Sequence, residues 1–121
     1  VLEDVPADYY FVDFHAESTS EKMFFAHLYQ DKIDALVGTH THVQTADERF
    51  IGQTAYITDV GMCGAIDSII GRDFEELKEN IIDGEKTYFE VASGASFLNA
   101  VLITIDDNTM MSQDIMRITR K

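Results

Sequence analysis

Short runs of β-branched and aromatic residues, each cut off by a glycine or a polar turn, restrict this chain to a sheet of several short strands. Gly38, Gly52, Gly61, Gly64, Gly71, Gly84 and Gly94 do most of the cutting. Strands are predicted over residues 9–14, 35–37, 54–57, 88–91, 97–105 and 114–119. Asp106-Asp107-Asn108-Thr109 is a turn cluster, so 100–105 and 115–119 should form an antiparallel hairpin. Two helices carry start signals. Ser18 and Glu21 have capping-box spacing at the head of 21–30, where Met23, Phe24, His27 and Leu28 form a helical stripe. Asp73 followed by Glu76 opens 74–82, which Asp83-Gly84 closes. Both helices should cover a sheet, which makes the class α/β. The 121 residues suit one domain, without internal repeat, linker or low-complexity stretch.

Composition narrows the chemistry. Cys63 is the single cysteine, which excludes an internal disulfide and a cysteine-based zinc knuckle and fits a reducing, cytoplasmic compartment. No apolar stretch approaches the ~18 residues of a membrane span, and Val1-Leu2-Glu3-Asp4 lacks the basic region of a signal peptide. The formal net charge of −13 opposes binding to duplex nucleic acid or an anionic membrane. A phosphate-bearing substrate would need positive charge from somewhere other than the side chains.

Gly38-Thr39-His40-Thr41-His42 follows the apolar run Ala35-Leu36-Val37 and is the most informative segment. In an extended backbone residues two apart project to one side, so His40 and His42 could offer two imidazoles to one site. Imidazole is a good ligand for Zn, Fe, Mn or Ni; the alternative is a pair of polar loop histidines with no ligand. His15 ends another apolar run, Phe11-Val12-Asp13-Phe14, at a position where α/β sites collect. Alone it reads as a hydrogen-bonded structural histidine; with His40 and His42 it makes a constellation at strand ends. Asp13 and Glu17 flank it and could orient its second nitrogen, or could be ordinary surface acids. His27, on the apolar helical stripe, reads as packing. The loop Thr58-Asp59-Val60-Gly61-Met62-Cys63-Gly64 could line a pocket but is not a phosphate loop, and Cys63 lacks a basic neighbour in sequence that would activate it.

Three segments together resemble a known family: Phe14-His15-Ala16-Glu17 with Ser20-Glu21-Lys22, then Gly38-Thr39-His40-Thr41-His42-Val43-Gln44-Thr45-Ala46-Asp47, then Thr54-Ala55-Tyr56-Ile57-Thr58-Asp59-Val60-Gly61-Met62. Their order, the 25 residues from His15 to His40, and the closing hairpin from Leu98-Asn99-Ala100-Val101 to Ile105-Asp106 resemble the YmdB-like family of bacterial dinuclear metallophosphoesterases. The resemblance covers nearly the whole chain. Departures at Ser18, Cys63, Ala65 and Asp107-Asn108 touch no candidate ligand.

The resemblance implies a phosphodiesterase acting on 2′,3′-cyclic nucleotides, and a four-layer αββα sandwich of which residues 1–121 are the C-terminal portion. It implies that His15 and His40 ligate one metal and His42 the other. The ions expected are Fe or Mn, with Zn or Mg as alternatives. The remaining ligands and the general acid belong to an N-terminal half with no counterpart here, so the catalytic residue is unknown and the chain alone is expected to be inactive. Two ions would supply the positive field that the acidic chain lacks. The alternative is a non-enzymatic half-domain that binds one metal or a partner protein through the sheet surface the other half should cover. Such a surface would favour association, including a homo-oligomer.

Overall fold

A computed structural model describes residues 5–121; Val1-Leu2-Glu3-Asp4, read above as lacking a signal peptide, lie outside the described residues. The apolar runs become strands because each finds a neighbour. β1 (Phe11–His15), β2 (Ala35–Thr39) and β4 (Thr54–Ile57) run parallel, and β3 (Arg49–Ile51) pairs antiparallel with β4, in the order β1-β2-β4-β3. Parallel neighbours need a crossover, and α1 (Thr19–Tyr29) provides the one between β1 and β2. Ser18 caps α1 by accepting the Glu21 N–H at 3.4 Å, as its spacing predicts.

Alternation along β2 and β4 divides the core in two. Leu36 and Tyr56 point to one face and pack with Ala26 of α1, Ile33 and Ile51; Met23, Phe25 and Tyr29 extend this cluster. Ala35, Val37, Ala55 and Ile57 point to the other face and meet Val101, Ile103 and Ile115 of a second sheet. That sheet is antiparallel, with β6 (Ser96–Asp106) between β5 (Gly64–Ala65) and β7 (Met111–Arg120). Its β6–β7 hairpin pairs Ala100 with Ile118 and Ile103 with Ile115, and Asp106 Oδ1 accepts the Asn108 and Thr109 N–H groups of the turn. Helix, mixed sheet and antiparallel sheet are therefore stacked in that order.

Of the predicted stripe on α1 only Met23 packs against the core, and the rest lies on the outer face. Phe24, His27 and Leu28 are exposed, and the buried line is Lys22 and Ala26 with Phe25 and Tyr29 half-buried beside it. A charged side chain ordinarily faces water, so the pattern alone turns Lys22 outward; burial of its ammonium beside Asp59 turns the helix the other way. His27 accordingly does not pack.

Residues 88–91 are not a strand. Val91 makes one isolated bridge to Arg72, and Tyr88 is 85 % exposed. β propensity reflects how a side chain fits a paired, half-buried surface, and here no strand lies alongside. α2 (Phe74–Ile81) does form, with Asp73 accepting the Glu75 and Glu76 N–H groups, but it contributes to neither core cluster and so is not the predicted sheet cover. Its one buried residue is Glu76, whose carboxylate takes both Arg72 Nε at 2.6 Å and Arg72 Nη2 at 2.7 Å and also accepts from Thr87. These donors hold the Glu76 carboxyl down at about 2. β3 and β5 escape the sequence reading because each is only two or three residues long. No helix among the described residues is long and apolar enough to cross a membrane.

Candidate metal centre

Parallel pairing brings the C-terminal ends of β1, β2 and β4 to one edge, the usual place for a site in an α/β sheet. His15 ends β1 and lies in register with Thr39, the last residue of β2. His40 follows directly, and Thr58 and Asp59 follow β4. Close approach of these ends explains Gly38: a Cβ there would lie 1.8 Å from Thr58 O and 2.8 Å from Lys22 Cδ.

A buried ion pair holds the histidine loop. Lys22 Nζ lies 3.3 Å from Asp59 Oδ2, with the two side chains 0 % and 1 % exposed. The same Asp59 oxygen accepts the Thr41 N–H at 2.8 Å, and Asp59 Oδ1 accepts the Gly61 N–H at 2.9 Å. Burial alone would raise the Asp59 carboxyl; the Thr41 and Gly61 amides and the Lys22 ammonium outweigh it and hold the group below the ordinary carboxylate range. Asp59 therefore fixes the loop from beneath rather than lining a pocket. Asp47 reinforces it by accepting from Thr45 Oγ1 at 2.6 Å, Thr58 N–H at 3.1 Å and the Thr58 hydroxyl. Gln44 Nε2 donates to Val60 O and Ala100 O, which ties the loop to the second sheet.

His40 and His42 are not in extended backbone. β2 stops at Thr39, and the two residues have φ of +145° and +65°. Positive φ at a residue with a Cβ costs of order 1–3 kcal/mol and persists only where surrounding contacts impose it. The Asp59 carboxylate, gripping Thr41 between the two histidines, is that contact.

His15 and His40 come together. His40 Nδ1 is 3.3 Å from His15 Nε2, and their ring centroids are 5.1 Å apart in an edge-on arrangement. His15 Nδ1 meets Thr39 Oγ1 at 3.1 Å. His42 is directed elsewhere: its Nδ1 donates to Ile70 O at 3.0 Å, which leaves Nε2 available. All three rings are exposed. Among the described residues no group of three or more His, Cys, Asp or Glu side chains is placed to hold a metal ion. Two nitrogens bound to one ion at about 2.1 Å, at tetrahedral or octahedral angles, stand roughly 3.0–3.4 Å apart, so the His15–His40 pair has the spacing of two ligands of one ion but not a full shell.

Of the two acids flanking His15, Asp13 reaches it indirectly, through Thr39. Sequence reasoning missed Lys22, Thr39, Asp47 and Asp59 as the supports of the site. The one local signal was Gly38, a glycine at the end of an apolar run, where another backbone comes close.

Comparison with known proteins places most of the chain beside characterised relatives. A family model described as YmdB-like protein matches residues 1–118. The chain is 48% identical over 111 residues to a 2′,3′-cyclic-nucleotide 2′-phosphodiesterase of Bacillus subtilis (strain 168), covering 91% of this chain and 42% of that protein. It is 43% identical over 104 residues to a putative phosphatase/phosphodiesterase of Mycoplasma pneumoniae, covering 84% of this chain and 37% of the relative. Two crystal structures superpose closely at 38% identity. One is a hypothetical protein from Thermus thermophilus, with a TM-score of 0.89 over 98% of this chain and 47% of that one. The other is a phosphatase from Mycoplasma pneumoniae, with a TM-score of 0.88 over 98% of this chain and 43% of that one. The chain thus spans less than half the length of the curated relatives it matches. With both sequence and fold matched across nearly all of its residues, the chain belongs to the YmdB-like family.

Proposed function

We propose that residues 1–121 are the C-terminal portion of a single metallophosphoesterase domain, and that they supply histidine ligands to a dinuclear phosphodiesterase acting on 2′,3′-cyclic nucleotides or related phosphodiesters. The observation that carries the reading is the His15–His40 pair, two ring nitrogens 3.3 Å apart at the C-terminal edge of the parallel strands. His15 and His40 would hold one ion and His42 the other, with Fe or Mn favoured over Zn or Mg. Such ions supply positive charge to the phosphoryl oxygens and activate water for in-line displacement. The residues of this chain hold and orient; the proton donor for the leaving oxygen comes from the companion portion. The free, exposed Cys63 fits a cytoplasmic setting.

The apolar surface supports the reading of an incomplete domain. β1 is the edge of its sheet, and β5 covers only the first two residues of β6. Between these open edges runs an apolar groove of about 360 Å³, lined by Tyr9, Phe11, Val101, Leu102, Ile103 and Ile105 among others. Phe11 is 61 % exposed there. Relatives more than twice as long have ample chain to cover it, and that companion segment would complete the αββα sandwich beyond the helix and two sheets described here. A free-standing binding module would be expected to have covered such a face.

The test is to join this chain to the N-terminal portion of its domain and assay hydrolysis of a 2′,3′-cyclic nucleotide with Mn or Fe added. Turnover is expected, together with loss of the self-association that the bare groove would cause. Absence of turnover with metal shown to be bound refutes the proposal, and a chain that forms a stable homo-oligomer with the groove buried would transfer the groove to a second copy.

A further inference from the structure

Both ring nitrogens of His15 are engaged, each by a different partner. Residues two apart on a strand project to the same side, so Asp13 and His15 leave β1 together, and parallel register sets Thr39 beside His15. Thr39 Oγ1 is 3.3 Å from Asp13 Oδ1 and 3.1 Å from His15 Nδ1. A carboxylate can only accept, and a hydroxyl has one proton to give. The Thr39 proton therefore goes to Asp13, the Thr39 oxygen accepts from His15, and His15 carries its hydrogen on Nδ1. Nε2 is left as a lone pair, aimed at the position 3.3 Å away where His40 Nδ1 now meets it.

We propose that Thr39, oriented by Asp13, is a positioning residue that holds His15 in the Nδ1–H tautomer and so presents Nε2 as its ligating atom. This rests on the reading of His15 as a metal ligand given above. The hydroxyl, bonded to Asp13 and His15, acts through His15 by removing the tautomer in which Nε2 would carry a hydrogen and could not ligate. Partners of this kind typically change metal affinity by about 10–100-fold when lost.

The experiment uses the protein at its full natural length, first metal-free, with the His15 tautomer read from ring ¹⁵N NMR shifts at a pH where the imidazoles are neutral. Mn²⁺ affinity is then measured by calorimetry. Wild type and Thr39→Ser should show His15 as the Nδ1–H form. Thr39→Val should shift it toward the Nε2–H form and weaken Mn²⁺ binding by about 10–100-fold. Asp13→Ala, an exposed position safe for folding, should also favour the Nε2–H form, because the freed Thr39 proton can now be donated to Nδ1. An unchanged tautomer in Asp13→Ala and Thr39→Val overturns the relay, as does failure of Thr39→Ser to retain the wild-type form. A wild-type protein that shows the tautomer but takes up no Mn²⁺ overturns the metal reading on which the relay depends.

Discussion

Replacing Lys22 with Met isolates the buried pair that holds the histidine loop. The two groups lie 3.3 Å apart and are 0 % and 1 % exposed. At an effective dielectric near 20 their attraction is about 5 kcal/mol, most of it offset by the cost of taking both charges out of water. Removing one partner is a different matter, because the Asp59 carboxylate then stays buried without its cation, and such losses run to about 3–5 kcal/mol. Asp59 would keep the Thr41 and Gly61 amides, so the lower end applies, about 3 kcal/mol. For a chain of this length that corresponds to a fall in Tm of roughly 12 °C. Thermal and urea unfolding of Lys22→Met, Asp59→Asn and the double variant form a cycle. Lys22→Met should cost little in the Asp59→Asn background, because the uncompensated charge is already gone. A loss below about 1 kcal/mol in the wild-type background would make the pair no more than a surface ion pair, and an equal loss in both backgrounds would remove Asp59 from the explanation altogether.

Acid should weaken the fold through three carboxyls, two at the histidine loop and one at α2. Asp47, Asp59 and Glu76 all sit below their ordinary carboxyl values. A carboxyl depressed in the folded state contributes stability that is present above its unfolded value of roughly 4 and is lost as pH falls through the folded one, so urea midpoints should hold from pH 7 to about 5 and drop steeply below about 4. Asp59→Asn should make that acid limb shallower, and an unchanged limb would take Asp59 out of the linkage. Gly38→Ala should lose stability at or beyond the roughly 3 kcal/mol top of the range for overpacking, since its Cβ would fall 1.8 Å from Thr58 O and only backbone displacement can relieve it. A Gly38→Ala chain with a wild-type urea midpoint would contradict the close packing of β2 on the β4 exit.

Local chemistry carried much of the architecture. Ser18 and Asp73 cap their helices where their spacing says they should, because a cap is settled among four consecutive residues. The Asp106 turn and the β-branched runs on either side specify the last hairpin for the same reason. Residues 88–91 look no different in composition from a true strand, and what they lack is a partner, which no local window can reveal.

The sequence by itself determined the α/β class, the closing hairpin, and the presence of histidines at or just beyond the ends of apolar runs. Tertiary structure alone decided which of these imidazoles meet, and it did so through groups the pattern assigned to water. Burying Lys22 against Asp59 turns α1, and Asp59 in turn clamps Thr41 and forces positive φ on both sides of it. That sets His40 against His15 and sends His42 to Ile70. Burial of a charge depends on a counter-charge 37 residues away, and a free energy that exists only when both ends are together cannot be read from either end alone.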